Sequence, residues 1–296
     1  MYSIAVIGAG KWGEALYYAL SQKNSVCITS RTQKDIENFV DLKSALECEY
    51  LVITIPAQNI SDWLKENFIF NNQKVLVAAK GIEATTGKFL NDIYKEHLSE
   101  TNTSFLSGPS FATEVMQSLP TALVINSTCK ELADEISELF PNFIKTYTSQ
   151  DIIGAEIAGA YKNVIAIASG ICNGLKLGQN AQAALISRGL IEMDRFGVAH
   201  GALNETFMGL SGAGDLVLSA SSTMSRNFRV GLGLAQKKPL HVIKEELGEV
   251  AEGVGTAYAL HVISNKENIY LPIATEVYRI LEGKDPKSSL SDLLGN

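Results

Sequence analysis

Several functional classes are excluded by what this chain has little of. It holds four cysteines in 296 residues, Cys27, Cys48, Cys129 and Cys172. They are scattered without C-x-x-C spacing, which argues against zinc clusters and a disulfide framework and leaves buried thiols. Basic charge is scarce: 25 lysines and arginines face 32 acids, for a net charge of −7. With no basic run, binding to nucleic acid is not expected, and an anionic small ligand needs local cations to hold it. No low-complexity tract or fixed-period repeat is present. The opening apolar run is too short to cross a bilayer and passes straight into a glycine loop. Neither a signal peptide nor a membrane span is therefore expected, and the expected location is cytoplasmic. The four histidines, His97, His200, His241 and His261, sit in helical or helix-end segments without a clustered partner. They supply no evident base, and no metal site is expected.

What the chain does have is a nucleotide loop. Ser3-Ile4-Ala5-Val6-Ile7 runs into Gly8-Ala9-Gly10-Lys11-Trp12-Gly13, and a good helix-forming stretch follows from Glu14 to Leu20. In this pattern Gly8 allows the tight turn, Gly10 lets backbone amides approach a pyrophosphate, and Gly13 permits close helix-to-strand packing. The helix N-terminus adds partial positive charge. The second strand is expected to end at Ser30-Arg31, where an acid would bond the ribose hydroxyls of NAD. A hydroxyl and a guanidinium suit a phosphate monoester instead, so NADPH is expected to be favoured over NADH. The competing reading of Arg31 is a solvated surface arginine.

Hydrophobic residues at 46% and charged ones at 19% fit a globular chain, and the length suggests about two domains. Strand-like runs recur at 26–30, 50–55, 74–79, 104–107, 121–125 and 144–147. Amphipathic spacing over 35–46, 60–67, 88–97, 111–118 and 131–140 places helices between them. The repeat predicts an α/β fold whose residues 1–151 form a Rossmann-type, doubly wound, mostly parallel sheet. Over residues 152–296 helical patterns take over, at 155–174, 181–196, 226–236, 256–264 and 273–281, and Asp285-Pro286 announces a last short helix. An all-helical C-terminal domain is thus expected to share the active site. Ligands in such sheets lie beyond the strand ends, where Pro56, Lys80 and Ser107-Gly108-Pro109-Ser110 converge.

The helix around residue 162 is expected to carry two faces. Ile157, Tyr161, Val164, Ala168 and Ile171 form an apolar stripe, and Ala155, Gly159, Lys162, Ala166 and Ser169 a face of small residues around one lysine. Burial lowers a lysine pKa toward a range useful for proton transfer, which makes Lys162 the lead catalytic candidate; the bland reading is a lysine that snorkels to water. Asn163 adds an amide beside it. In Gly212-Ala213-Gly214-Asp215, the acid either caps the following helix or orients Lys162. Ser225-Arg226-Asn227 places a hydroxyl, a guanidinium and an amide at a helix start, which reads as a phosphate site or as ordinary capping. Lys80, before Gly81, is placed for an anionic or carbonyl substrate.

With these segments read, the chain resembles the bacterial-type NAD(P)-dependent sn-glycerol-3-phosphate dehydrogenases along nearly its whole length. The resemblance rests on Gly8 to Gly13, Ala79-Lys80-Gly81, Ser107-Gly108-Pro109-Ser110-Phe111-Ala112, Gly159-Ala160-Tyr161-Lys162-Asn163-Val164, and Gly212-Ala213-Gly214-Asp215-Leu216 leading to Ser225-Arg226-Asn227. Val250-Ala251-Glu252-Gly253 is a sixth similar segment. The resemblance implies reversible reduction of dihydroxyacetone phosphate to sn-glycerol 3-phosphate, with hydride from the nicotinamide and the proton from Lys162, supplying phospholipid synthesis. It implies substrate contacts from Lys80, Gly108, Ser110, Lys162, Asp215, Ser225, Arg226 and Asn227, with Arg226 foremost for the phosphate. To the loop glycines Gly8, Gly10 and Gly13 it adds cofactor contacts from Trp12, Arg31, Lys80, Ala112, Arg226, Val250 and Glu252. A homodimer is expected only by analogy, because helical second domains often pair.

Two residues depart from the family pattern. Lys11 stands where a small residue is common, and Glu14 where threonine is common, so the charge beside the pyrophosphate site differs. Two other functions fit parts of the sequence: a reductase of a hydroxy acid, and a protein that senses NADPH without turnover. The first would be favoured by a carboxylate substrate; against the second stands the retained set of Lys162, Asp215 and Arg226.

Overall fold

The computed structural model describes residues 2–289. Among them β1 (Ile4–Ile7), β2 (Val26–Thr29), β3 (Tyr50–Ile53), β4 (Lys74–Val77), β5 (Thr103–Ser107), β6 (Thr121–Asn126) and β7 (Ile144–Ser149) form one sheet. Its order is β2-β1-β3-β4-β5-β6-β7. All neighbours pair in parallel except β5 and β6. Because β1 is covered on both faces, all four of its residues are apolar and buried. Ile4 and Val6 point into a core shared with the helix Lys11–Ser21, and Ala5 and Ile7 into the opposite core with the helices Ile60–Asn67 and Leu90–Lys95.

Strand order reverses direction at β1, whose neighbours are β2 on one side and β3 on the other. A ligand crevice opens at such a switch point, and Gly8 and Thr54, the first residues past β1 and β3, stand there. The antiparallel β5–β6 pair turns β6 and β7 around, so their C-terminal ends face away from this crevice.

The helix expected over 35–46 is confined to Leu42–Leu46. Residues before it lie along the outer strand instead: Phe39 bridges Ile28, the Ile28 amide donates to Asn38 O and the Val40 amide to Ile28 O. The amphipathic pattern there serves to cover a sheet edge, whose unpaired backbone groups need partners.

From Ile152 to Ser289 the regular elements are helical. The helix Ile152–Gly174 is buried along almost its whole length and on every side, the small-residue face as well as the apolar stripe. Its length and apolarity would suffice to cross a membrane, yet it is wrapped by protein. The helices Gln179–Ala199, Asp215–Ala220, Arg226–Ala235, Glu252–Glu267 and Pro272–Leu281 all pack on it. The approach of Arg226–Ala235 is so close that a Cβ on Gly231 would lie 2.1 Å from Ile167 O. Asp285 accepts the Lys287 amide at 3.2 Å where a final helical turn begins.

Candidate active site

The glycine loop is built as its spacing implies. Gly8 takes φ +112°, and a Cβ there would strike Thr54 Oγ1 at 2.4 Å. That hydroxyl donates to Gly8 O at 2.9 Å and lies 3.1 Å from Ile7 O, locking the turn to β3. A Cβ on Gly13 would sit 1.8 Å from Gly8 O, so the helix packs directly on the turn. Gly10, by contrast, faces open space and caps the helix with no side chain of its own. The helix start it leaves uncapped is an open cradle of amides of the kind that favours an anion. Trp12 closes the loop underneath, its indole donating to Ala78 O at 3.1 Å. Strand β2 ends at Thr29, leaving Ser30 and exposed Arg31 at the rim of this cradle. Glu14 is neutralised by Lys34 at 2.5 Å, and Lys34 also donates to Ala9 O.

The chemistry converges where the two halves of the chain meet. Lys162 Nζ lies 2.5 Å from Asp215 Oδ1 and donates to Ser219 Oγ at 2.8 Å. Lys80, beyond the end of β4, reaches Asp215 Oδ2 at 2.6 Å and Gly108 O at 3.3 Å. Gly159 lets the stem of Lys80 pass, since a Cβ there would be 3.3 Å from it. Asp215 is 1% exposed and Lys162 8%, so the snorkelling reading of Lys162 fails. The capping reading of Asp215 fails too: Gly214 is the N-cap and the carboxylate is spent on two lysines. Burial, helped by the charge of Lys80, holds the Lys162 ammonium down at about 8 against the pull of Asp215. Burial works to raise Asp215, but the two lysines override it and its pKa is lowered.

A second string of polar groups joins the helix starts. Asn227 Nδ2 donates to Asn163 Oδ1 at 2.9 Å, and Asn227 Oδ1 accepts the Gly253 amide at 3.0 Å. Ser225 caps its helix by accepting the Phe228 amide at 3.3 Å; its hydroxyl proton stays free to donate. Ser110 Oγ is 3.4 Å from Gly108 O. Ala112 begins the short helix Ala112–Val115, and Val250 is exposed. Half-buried Glu252 receives the Ala57 amide on Oε1 at 3.4 Å, while its shielded Oε2 has no partner among the described residues. That oxygen is 2.8 Å from where a Cβ on Gly81 would stand, and burial drives the carboxyl up to about 7.

The open helix start at Gly10, which offers amide donors, and the Glu252 oxygen, which offers a shielded acceptor, are both of a chemistry that fits a dinucleotide. Ser219, Thr54, Lys34 and Glu249 escaped the sequence reading. Only Ser219 left a signal there, since it lies one helical turn from Asp215 and therefore on the same face. The thiols of Cys27 and Cys48, scattered in sequence, meet at 3.8 Å as free, buried groups.

Both halves of the chain match known proteins. Residues 31–133 match the family described as NAD-dependent glycerol-3-phosphate dehydrogenase N-terminus, and residues 151–291 its C-terminus. A glycerol-3-phosphate dehydrogenase (NAD(P)+) of Sulfurimonas denitrificans is 67% identical over 296 residues, covering 100% of both chains. One of Nitratiruptor is 56% identical over 98% of this chain and 97% of its own. The crystal structure of a glycerol-3-phosphate dehydrogenase from Coxiella burnetii superposes with a TM-score of 0.92 at 32% identity, covering 100% of this chain and 99% of that one.

Proposed function

The chain belongs to the NAD-dependent glycerol-3-phosphate dehydrogenase family, and on that premise we propose how its own residues carry the reaction. It is an NAD(P)-dependent oxidoreductase that interconverts dihydroxyacetone phosphate and sn-glycerol 3-phosphate. A hydroxy-acid reductase and a silent NADPH sensor are thereby set aside. Residues 1–151 hold the cofactor and residues 152–296 bring the lysine and most substrate contacts. The observation that carries this reading is Lys162, buried and held between Asp215 and Ser219 with Lys80 on the other carboxylate oxygen.

The reduced nicotinamide, when bound, supplies the hydride. Gly8, Gly10, Trp12 and Gly13 would hold the diphosphate of the dinucleotide, and Ala112, Val250 and Glu252 would border the rest of the cofactor. Lys162 gives a proton from Nζ to the carbonyl oxygen as negative charge develops there, and takes it back in the oxidation direction. Asp215 fixes the ammonium in place, and Lys80 adds a second positive charge beside the same oxygen. Gly108 and Ser110 border the substrate, while Ser225, Arg226 and Asn227 receive its phosphate at a helix N-terminus. Glycerol phosphate made this way supplies phospholipid synthesis. Exposed Ile191, Val198 and Leu203 support pairing of the helical halves into a homodimer, and a cytoplasmic location belongs to the same reading.

NADPH oxidation with dihydroxyacetone phosphate, against unphosphorylated dihydroxyacetone, tests the phosphate site. The phosphorylated ketone is expected to be favoured by about 10²-fold or more in kcat/KM, the worth of two charge-assisted hydrogen bonds. Comparable rates with both ketones defeat the anion site. The cofactor preference rests on Ser30 and Arg31 at the end of β2. Arg31→Ala is expected to weaken NADPH about tenfold or more while NADH changes little; equal losses for both dinucleotides sink the preference.

A further inference from the structure

Lys11, the departure in the glycine loop, has a partner in the other half of the chain. Its Nζ lies 2.5 Å from Glu249 Oε1, and Glu249 Oε2 lies 3.3 Å from Nη1 of Arg226. Glu249 stands in the short connector between the helices Leu240–Leu247 and Glu252–Glu267. One carboxylate therefore bridges the N-terminus of the glycine-loop helix and the guanidinium assigned above to the substrate phosphate.

A carboxylate beside a phosphate-binding arginine is a built-in competitor for it. Left alone, Glu249 could set both oxygens on the guanidinium in a bidentate pair, the strongest arrangement the two groups form. Here the nearer and shorter contact goes to Lys11, which takes Oε1 and leaves Arg226 a single long contact through one nitrogen. The remaining guanidinium donors stay available to an incoming anion.

We propose that Lys11 is a positioning residue for substrate: by engaging Glu249 it keeps Arg226 open to the phosphate. This rests on the assignment of Arg226 to the phosphate. The test compares Lys11→Met, Glu249→Gln, the double variant and Arg226→Met, by KM and kcat for dihydroxyacetone phosphate at saturating NADPH. Titration calorimetry with inorganic phosphate on the cofactor-free protein gives a second readout.

Lys11→Met is expected to raise KM and weaken phosphate about three- to fivefold with kcat little changed, the size of coupling in an exposed ion pair. Glu249→Gln binds at least as tightly as the parent, and the double variant returns to the Glu249→Gln level. A double variant as weak as Lys11→Met shows Lys11 acting directly on the ligand and overturns the proposal. A loss in Glu249→Gln alone overturns it as well, because Glu249 is then a support and not a competitor. If Arg226→Met leaves KM for dihydroxyacetone phosphate unchanged, the phosphate assignment itself fails; if Arg226→Met is impaired but the double variant is not rescued, only the role of Lys11 fails.

Discussion

Lys162→Met is expected to lower kcat by about 10²–10⁴-fold, the span typical of losing a general acid, while NADPH binding to the free enzyme is retained. Methionine is the informative replacement because it fills the space of the buried stem without a charge. Asp215 then still has Lys80 at 2.6 Å, so no carboxylate is orphaned and the fold should persist. The parent enzyme supplies the matching pH signature. With the ammonium held down at about 8 chiefly by burial, ketone reduction should decline as pH rises through that region, because neutral Lys162 has no proton to give. Alcohol oxidation should gain over the same range, because neutral Lys162 is the acceptor. Steady-state rates in both directions across pH, together with nicotinamide fluorescence titration of the variant, check the assignment. Near-normal turnover in Lys162→Met, or opposite limbs that do not share one apparent pKa, removes Lys162 from the proton step.

Where a residue answers a local constraint, the sequence was legible. Gly8 and Gly13 answer contacts inside their own turn, with a positive φ at one and a carbonyl 1.8 Å from a hypothetical Cβ at the other. Lys162 was legible because a single lysine in a largely apolar helix has few explanations. That both faces of its helix lie inside the protein was not legible, because periodicity reports a boundary between protein and water and Ile152–Gly174 has almost none. Segment 35–41 misled in the opposite way, since its apolar residues cover the edge of β2 without adopting a helix. Glu249 and Thr54 were invisible because their partners, Lys11 with Arg226 and Gly8, are brought to them only by the folded chain.

Asp215→Asn should be the most destabilising change at this site, costing about 3–5 kcal/mol, as expected when one partner of a buried ion pair is removed. Asp215 is 1% exposed and meets two ammonium groups. Lys80 lies nearer the rim, with 18% of its side chain exposed, and can turn toward water. Lys162 has less access to water, with 8% of the residue exposed. The loss should therefore depend on pH with a definite sign. A lysine whose folded pKa lies below its unfolded value penalises the fold fully while both states are protonated, and the penalty is relieved as pH rises from the folded pKa to the unfolded one. Asp215 is the largest influence holding the Lys162 pKa up, so the variant lowers that pKa further and opens the window of relief at its acidic end. Urea unfolding at neutral and alkaline pH should show the deficit shrinking as pH rises. Adding Lys162→Met to Asp215→Asn should restore most of the stability and none of the activity, since it removes the orphaned charge but not the need for a proton donor. A deficit of the same size at both pH values, or a double variant no more stable than Asp215→Asn, would mean that Asp215 serves packing and not the charge of Lys162.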